Sequence, residues 1–510
     1  MPRSWTRRGF LLAAGGAAGA AVVGGSLVAD FGGSEPSAAR RPDVDFDPVA
    51  LATVMINFDT SHNGQGGITR PHADWWASRW HAYGVPTEIV KTPKPDNVHC
   101  IARIRGAGRA APLLFLGHSD VVSVERERWT SDPFRAEQRD GYLYGRGALD
   151  MKGTNAAVLA ALLRHVSEGA RFDRDIVVVS DCDEEAAPYS GTWLAANHWD
   201  KVKAGAVLTE GGWLLARGDG RTPMLATLTC QDKVYALVSV TATGMTTHSS
   251  RPQPDSAFVR LNRAIERLSA YRSDVFLHPL ARRHFEALAA ATDDRHLAAA
   301  TRLLLSASDQ SARNRAGGVV IARSPYPALH NALMRPTVAF VIENVGYRAN
   351  IIPGTAKATL NVRLLPGGAG IQQIIDGMRT VVADEHVVIA HAGALPTETS
   401  QQADARVAKA LGGTPSPHPG AGDDPSGVFA AWTFAVGAVH PGLRTAPTLF
   451  EAGTATGGWR ARGIPVYGIY PYVVDGESIN RMHGNDERVG VDALRRSADL
   501  MYALFGHFRS

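Results

Sequence analysis

Four apolar residues at 113–116 run directly into Gly117-His118-Ser119-Asp120. A short, unbroken apolar run with a polar end is the pattern of a strand buried on both faces of a parallel sheet. It recurs at 175–180, which ends in Asp181-Cys182-Asp183-Glu184-Glu185, and at 206–211, which carries Glu210. Between the first two strands, Asp150 sits on a tight turn just before a helix that starts near Thr154. That helix carries Val158, Leu159, Leu162, Leu163 and Val166 on one face. Helix-like 75–83 and strand-like 98–105 precede this unit. Alternation of this kind predicts a mostly parallel sheet with helices on both faces. Such sheets gather functional groups at the carboxyl ends of their strands.

The pattern changes near Lys233. Residues 234–243 alternate apolar and polar, a helix is expected at 255–271, and the Ala/Leu-rich stretch 280–306 reads as one or two more. Strands are expected again at 337–342 and 356–364. From Pro366 the first pattern resumes, with helices at 371–383, 427–439 and 492–508 and strands at 387–390 and 465–470. The expected fold is therefore α/β, interrupted by an inserted α+β domain.

At the N-terminus, Thr6-Arg7-Arg8-Gly9-Phe10-Leu11 leads into an Ala/Gly-rich apolar run to about Ala29. This resembles a twin-arginine export signal, with Ala29 and Ala39 both plausible cleavage ends and a polar linker at 34–45. An exported protein, periplasmic or extracellular, is expected. No second stretch has the length and apolarity of a membrane span. The net charge of +4 over 510 residues, with no basic run beyond the N-terminus, argues against a nucleic-acid partner. Three cysteines, Cys100, Cys182 and Cys230, form no disulfide framework and no CxxC.

Taken alone, His118 reads more simply as a satisfied loop histidine and Asp150 as a helix-capping acid. Taken together, His118, Asp150, Glu185, Glu210 and His483 offer two imidazoles and three carboxylates, which suits a pair of zinc ions sharing one carboxylate. A further carboxylate must move the proton of an attacking water, and Glu184 is the choice. Without a cation such a cluster repels itself. A serine nucleophile elbow is excluded, because Val121 stands where its second glycine is required, and no HExxH occurs.

The pieces GHSDVV, GRGALDMKG, SDCDEEA, LTEGG, THSSRPQPDSA, NIIPGTAKATLNVRLLPG and MHGNDERV, in that order, resemble the M20 family of co-catalytic zinc peptidases and acylases. ALHNALMRPTVAFVIENVG is most similar to its branch of carboxypeptidase S and N-acyl-amino-acid hydrolases. The resemblance implies a catalytic domain in two parts, 45–233 and 366–510, an inserted lid at 234–365, and signal and linker at 1–40. It implies that His118, Asp150 and Glu210 hold one metal, and Asp150, Glu185 and His483 the other, with zinc or another divalent ion in each. Asp120 is then expected to orient His118, Glu184 to act as general base, and the peptide after Asp150 to be cis. From the lid, His248 is expected to stabilise oxyanion charge, and Asn350 and Arg363 to bind substrate. The implied substrate is a small peptide or N-acyl-amino acid, and a homodimer through the lid is admitted. The chain departs from common relatives at Gly453-Thr454-Ala455-Thr456-Gly457, where Ala455 and Gly457 replace an acid and a base, so substrate specificity is not carried over. The alternative from another class is a non-catalytic scaffold that binds peptide or metal.

Overall fold

The computed structural model describes residues 40–62, 67–185, 188–393 and 398–510. The twin-arginine segment and both candidate cleavage ends lie outside the described residues. Leu113–His118 and Ile176–Asp181 are buried along their whole length. Leu113 and Phe115 enter one core while Leu114 and Leu116 enter another, so both faces of the strand are apolar. The eight-stranded sheet runs in the order Thr87–Lys91, Val98–Ile104, Ile176–Asp181, Leu113–His118, Ala206–Ala216, Val466–Val474, Pro223–Asp232, Arg444–Phe450. The expected parallel pairing holds for the central four, from Ile176–Asp181 to Val466–Val474. Antiparallel pairings flank them. Lys152–Ser167 and Val491–Gly506 pack into the core on one face, and Gly191–Asn197 into that on the other.

Three strands of this sheet, Thr87–Lys91, Pro223–Asp232 and Arg444–Phe450, are absent from the sequence reading. The last carries Pro447 in its interior, which argues against a strand. It is tolerated because Arg444–Phe450 is the last strand of the sheet and pairs only with Pro223–Asp232.

A second sheet has the order Thr337–Val345, Thr355–Leu364, Val234–Thr243, Val387–Ala392, all antiparallel. Val234, Ala236, Val238, Val240 and Ala242 point into a separate core, covered by Ala257–Ser269 and Ile371–Val382. The expected 234–365 insertion is thus redistributed. Ile371, Ile389 and Val407 join the second core, so it continues past 365. Conversely, Pro279–Ala291, Arg295–Ser306, Gln310–Arg323 and Pro327–Met334 bury their apolar residues in the first core. The reason is local: Leu280, Phe285 and Leu288 line one helix face, which packs on the edge strands Arg444–Phe450 and Pro223–Asp232. The outer strand of the second sheet exposes Phe340, Val341 and Ile342. Cys100, Cys182 and Cys230 are buried and free. No helix among the described residues is long and apolar enough to cross a membrane.

Candidate metal centre

Parallel neighbours bring their carboxyl ends to one edge. Leu113–His118 ends on His118, and Ile176–Asp181 leads into the turn of Glu184 and Glu185. Glu210 lies inside its strand rather than at the end. Pairing with Val466–Val474 jumps from Thr209 to Gly212, so Glu210 and Gly211 bulge out of register and the carboxylate reaches the site. The bulge requires glycine: a Cβ on Gly211 would lie 2.3 Å from Thr229 Oγ1 and 2.8 Å from Gly468 Cα.

Asp150 is the centre of the arrangement. Its Oδ1 is 3.1 Å from His118 Nε2 and its Oδ2 is 3.0 Å from His483 Nε2. Glu210 Oε2 approaches His118 Nε2 at 3.6 Å, and Glu185 Oε1 approaches His483 Nε2 at 2.9 Å. Ligand atoms of His118, Asp150 and Glu185 converge, as do those of His118, Glu184 and Glu210. All five expected metal ligands and Glu184 are therefore brought together. The Asp150–Met151 peptide is cis, as the resemblance implied.

Asp120 behaves differently from expectation. His118 Nδ1 lies 2.9 Å from the Asp120 main-chain carbonyl, while the carboxylate is 3.8 Å away. The carbonyl fixes the proton on Nδ1 and frees Nε2 to act as a ligand. The Asp120 carboxylate instead accepts the backbone N–H groups of Glu184 and Glu185 at 3.1 and 3.0 Å. Asp120 thus fixes the glutamate turn with its side chain and the histidine with its backbone.

Two side chains at the site escape a sequence reading. Tyr470 reaches Asp150 and Glu210 from the strand Val466–Val474. Glu487, wholly buried, accepts from Arg146 Nη1 at 2.6 Å and from the N–H groups of Gly147, Leu149 and Asp150 at 3.0, 2.8 and 2.9 Å. The only signal of Glu487 in the sequence is its place in the MHGNDERV stretch. Below the glutamate turn, His99 lies 3.3 Å from Asp181 Oδ1 and 3.5 Å from Cys182 Sγ, and this buried group braces the turn from the sheet side.

The substrate-side residues are not gathered in the same way. His248 is exposed on a two-residue strand paired with Ile351, and its ring contacts Ser250 at 2.9 Å. Asn350 is exposed and accepts the Ser249 N–H through its carbonyl. Neither contacts the metal-ligand residues among the described residues. Arg363 does turn toward the site. Its guanidinium lies over the Tyr235 ring at 5.0 Å, beside Gly453, and feels the charge of Glu184. It has no ion-pair or hydrogen-bond partner among the described residues, and burial lowers its pKa.

The electrostatics show what the cluster lacks. Desolvation, reinforced by the charge of Glu210, pushes Glu184 well above the carboxylate range. Desolvation and Asp150 raise Glu210 to about 7. Burial pulls His118 down, but hydrogen bonds to Asp150 and Glu210 overcome it and leave the imidazole well above its usual value. Against desolvation, Asp150 and Glu185 raise His483 to about 11. Acids held protonated and bases held protonated both signal a deficit of positive charge. Glu185 Oε1 is buried and, despite its 2.9 Å approach to His483, makes no hydrogen bond. Two ligand atoms so placed fit a cation between them, and the mixed N/O donor set fits divalent metal.

The sequence model of Peptidase family M20/M25/M40 matches residues 114–507. The chain is 27% identical to the probable carboxypeptidase S-like 2 of Dictyostelium discoideum over 401 residues, covering 77% of this chain and 71% of that protein. It is 26% identical to the N-fatty-acyl-amino acid synthase/hydrolase PM20D1 of Homo sapiens over 440 residues, covering 82% and 79%. Aminoacylase-1A of Rattus norvegicus is 34% identical over 163 residues, 31% of this chain and 38% of that protein. Among solved structures, the M20 family metallo-carboxypeptidase Sso-CP2 from Sulfolobus solfataricus has the same fold, with TM-score 0.60 at 17% identity over 90% of this chain and 98% of that one. With the family model spanning most of its length, the chain belongs to Peptidase family M20/M25/M40, hydrolases acting on peptide C–N bonds.

Proposed function

We propose that the protein hydrolyses an amide bond in a small peptide or N-acyl-amino acid that bears a free carboxylate, with two zinc ions as cofactors. The observation that carries this reading is the Asp150 carboxylate, whose two oxygens face two different imidazoles at 3.1 and 3.0 Å. His118, Asp150 and Glu210 would hold one ion, and Asp150, Glu185 and His483 the other. When bound, such a pair polarises the scissile carbonyl and lowers the pKa of the attacking water. Glu184 accepts the water's proton at its carboxylate and passes it to the leaving nitrogen. Asp120 keeps that carboxylate in place through the two backbone amides. The relatives named for carboxypeptidase, N-fatty-acyl-amino acid and aminoacylase activities support this substrate class.

Arg363 supplies the anchor for the carboxylate, since a guanidinium can donate two parallel hydrogen bonds. The exposed positions of His248 and Asn350 suit an open lid, whose closure would carry both toward the substrate. The test is a panel of dipeptides and N-acyl-amino acids offered to zinc-loaded protein, with products identified. A protein that binds two zinc ions and returns every compound unchanged is the non-catalytic scaffold instead. Arg363→Lys is expected to raise KM for free acids roughly tenfold or more, because a hydrogen bond to a charged group contributes about 1.5–3 kcal/mol. The same change should leave the corresponding methyl esters nearly unaffected. Equal use of acid and ester by the wild type rejects the anchor.

Export by the twin-arginine route is part of the proposal, supported by Arg7-Arg8-Gly9-Phe10-Leu11 and the apolar run behind it. Changing Arg7 and Arg8 together to Lys should trap precursor in the cytoplasm. Undiminished export of that variant points to the general secretory route.

A further inference from the structure

Tyr470 stands among the residues assigned to the first metal, and no motif quoted for that site contains it. The strand Val466–Val474 pairs regularly with Ala206–Ala216 up to Gly468, then jumps from Ile469 to Val473. The jump frees Tyr470 from the regular ladder, so its side chain follows local packing rather than strand register. Its ring is fully buried and stacks on Trp213, with centroids 4.3 Å apart and planes at 20°. The Trp213 indole N–H in turn donates to Glu451 at 2.9 Å. The phenol is therefore locked by packing on one side and its oxygen is aimed to the other.

That oxygen is 2.9 Å from Asp150 Oδ1 and 2.8 Å from Glu210 Oε2. A hydroxyl carries a single proton, so it can satisfy only one of these carboxylates. Once both carboxylates are ionised, as metal ligands are, the other stands at hydrogen-bond distance from the phenol oxygen with no proton between them. His118 Nε2 closes the group, 3.1 Å from Asp150 Oδ1 and 3.6 Å from Glu210 Oε2. Three oxygens and one nitrogen thus lie together, each within 3.6 Å of two of the others. The neighbouring Tyr472 makes a useful contrast. Its hydroxyl donates to the Leu149 carbonyl and accepts from Thr154, an ordinary satisfied pair of partners.

We propose that the Tyr470 hydroxyl oxygen is a fourth protein donor to the metal held by His118, Asp150 and Glu210. The inference rests on reading the cluster as a metal centre. It makes the two sites unequal, with four protein donors in the first against three in the second. A site filled by protein donors binds firmly, whereas a three-ligand site keeps a position open for chemistry. The first ion becomes the better retained, and the second the more exchangeable.

The experiment uses the full chain, stripped of metal and titrated with zinc against a competing chelator. Tyr470→Phe keeps the ring and its stack on Trp213 and removes only the oxygen. It is expected to weaken one of two ions by ~10–100-fold or more, while His483→Ala weakens the other. A second measurement needs no variant. Wild type loaded with Fe3+ should show the visible charge-transfer absorption of a tyrosine oxygen bound to iron, and Tyr470→Phe should lack it. Two ions bound equally by wild type and Tyr470→Phe overturn the proposal. So does weakened binding with no charge-transfer band in the wild type, which would make Tyr470 a hydrogen-bonding support only. Failure of the wild type to bind any divalent ion removes the metal-centre reading itself, and this inference with it.

Discussion

Glu184→Gln is expected to retain both metals and nearly native stability while losing about 10²–10⁴-fold in kcat, the usual contribution of general acid–base catalysis. Its neighbour should behave differently: Glu185→Gln should lose metal from the site shared with His483. The two side chains leave one short turn whose consecutive amides are both held by the Asp120 carboxylate. Their destinations diverge. Glu185 Oε1 lies 2.9 Å from His483 Nε2, whereas Glu184 belongs with His118 and Glu210 and is the member of the pair whose charge, with that of Asp232, Arg363 feels. Glu184 is therefore the member between the metal ligands and the proposed carboxylate anchor, where a proton carrier must stand. Metal content and kcat measured on both variants decide the matter. If Glu184→Gln lost a metal while Glu185→Gln kept both and lost turnover, the assignments within the pair would be reversed.

The side chains gathered at the candidate metal centre are legible because strand ends announce themselves. An apolar run stopping at His118, and another stopping before Glu184 and Glu185, leave polar side chains only one edge of a parallel sheet to occupy. Tyr470 carries no such mark. In VYGIYPYVV it reads as one more core aromatic, and only the broken register with Ala206–Ala216 turns its hydroxyl toward Asp150. The resemblance implies that Asp120 orients His118 with its side chain, yet the main-chain carbonyl takes that contact and leaves the carboxylate for a turn 64 residues away. The insertion boundaries failed for a similar reason. Amphipathic helices such as Pro279–Ala291 show that they bury a face but not which of two cores receives it. Edge strand Arg444–Phe450 was hidden by a proline that a one-sided pairing permits.

The larger structural effect is expected at a residue outside the metal-ligand set. Glu487→Ala should destabilise the protein by about 3–5 kcal/mol, the usual cost of breaking a buried ion pair from one side. Glu487 is wholly buried and Arg146 nearly so, with their charges 2.6 Å apart. Removing the carboxylate strands that guanidinium in the interior, although its other nitrogen still donates to the carbonyls of His483 and Gly484. It also leaves the N–H groups of Gly147, Leu149 and Asp150 without their acceptor. A buried amide left unpaired costs about 1–3 kcal/mol. The consequence reaches the metal centre, because Glu487 ties the Asp150 loop to the segment that presents His483. Metal affinity at the site sharing Asp150 and His483 should therefore fall together with stability. Glu487→Gln separates the two contributions. It keeps the volume and one acceptor oxygen but removes the charge, so it should lie between wild type and Glu487→Ala. Urea denaturation of the metal-free proteins, followed by zinc titration, reads both quantities. Metal-free Glu487→Ala as stable as wild type would show that water enters to solvate Arg146, and that the loop is held by its other contacts.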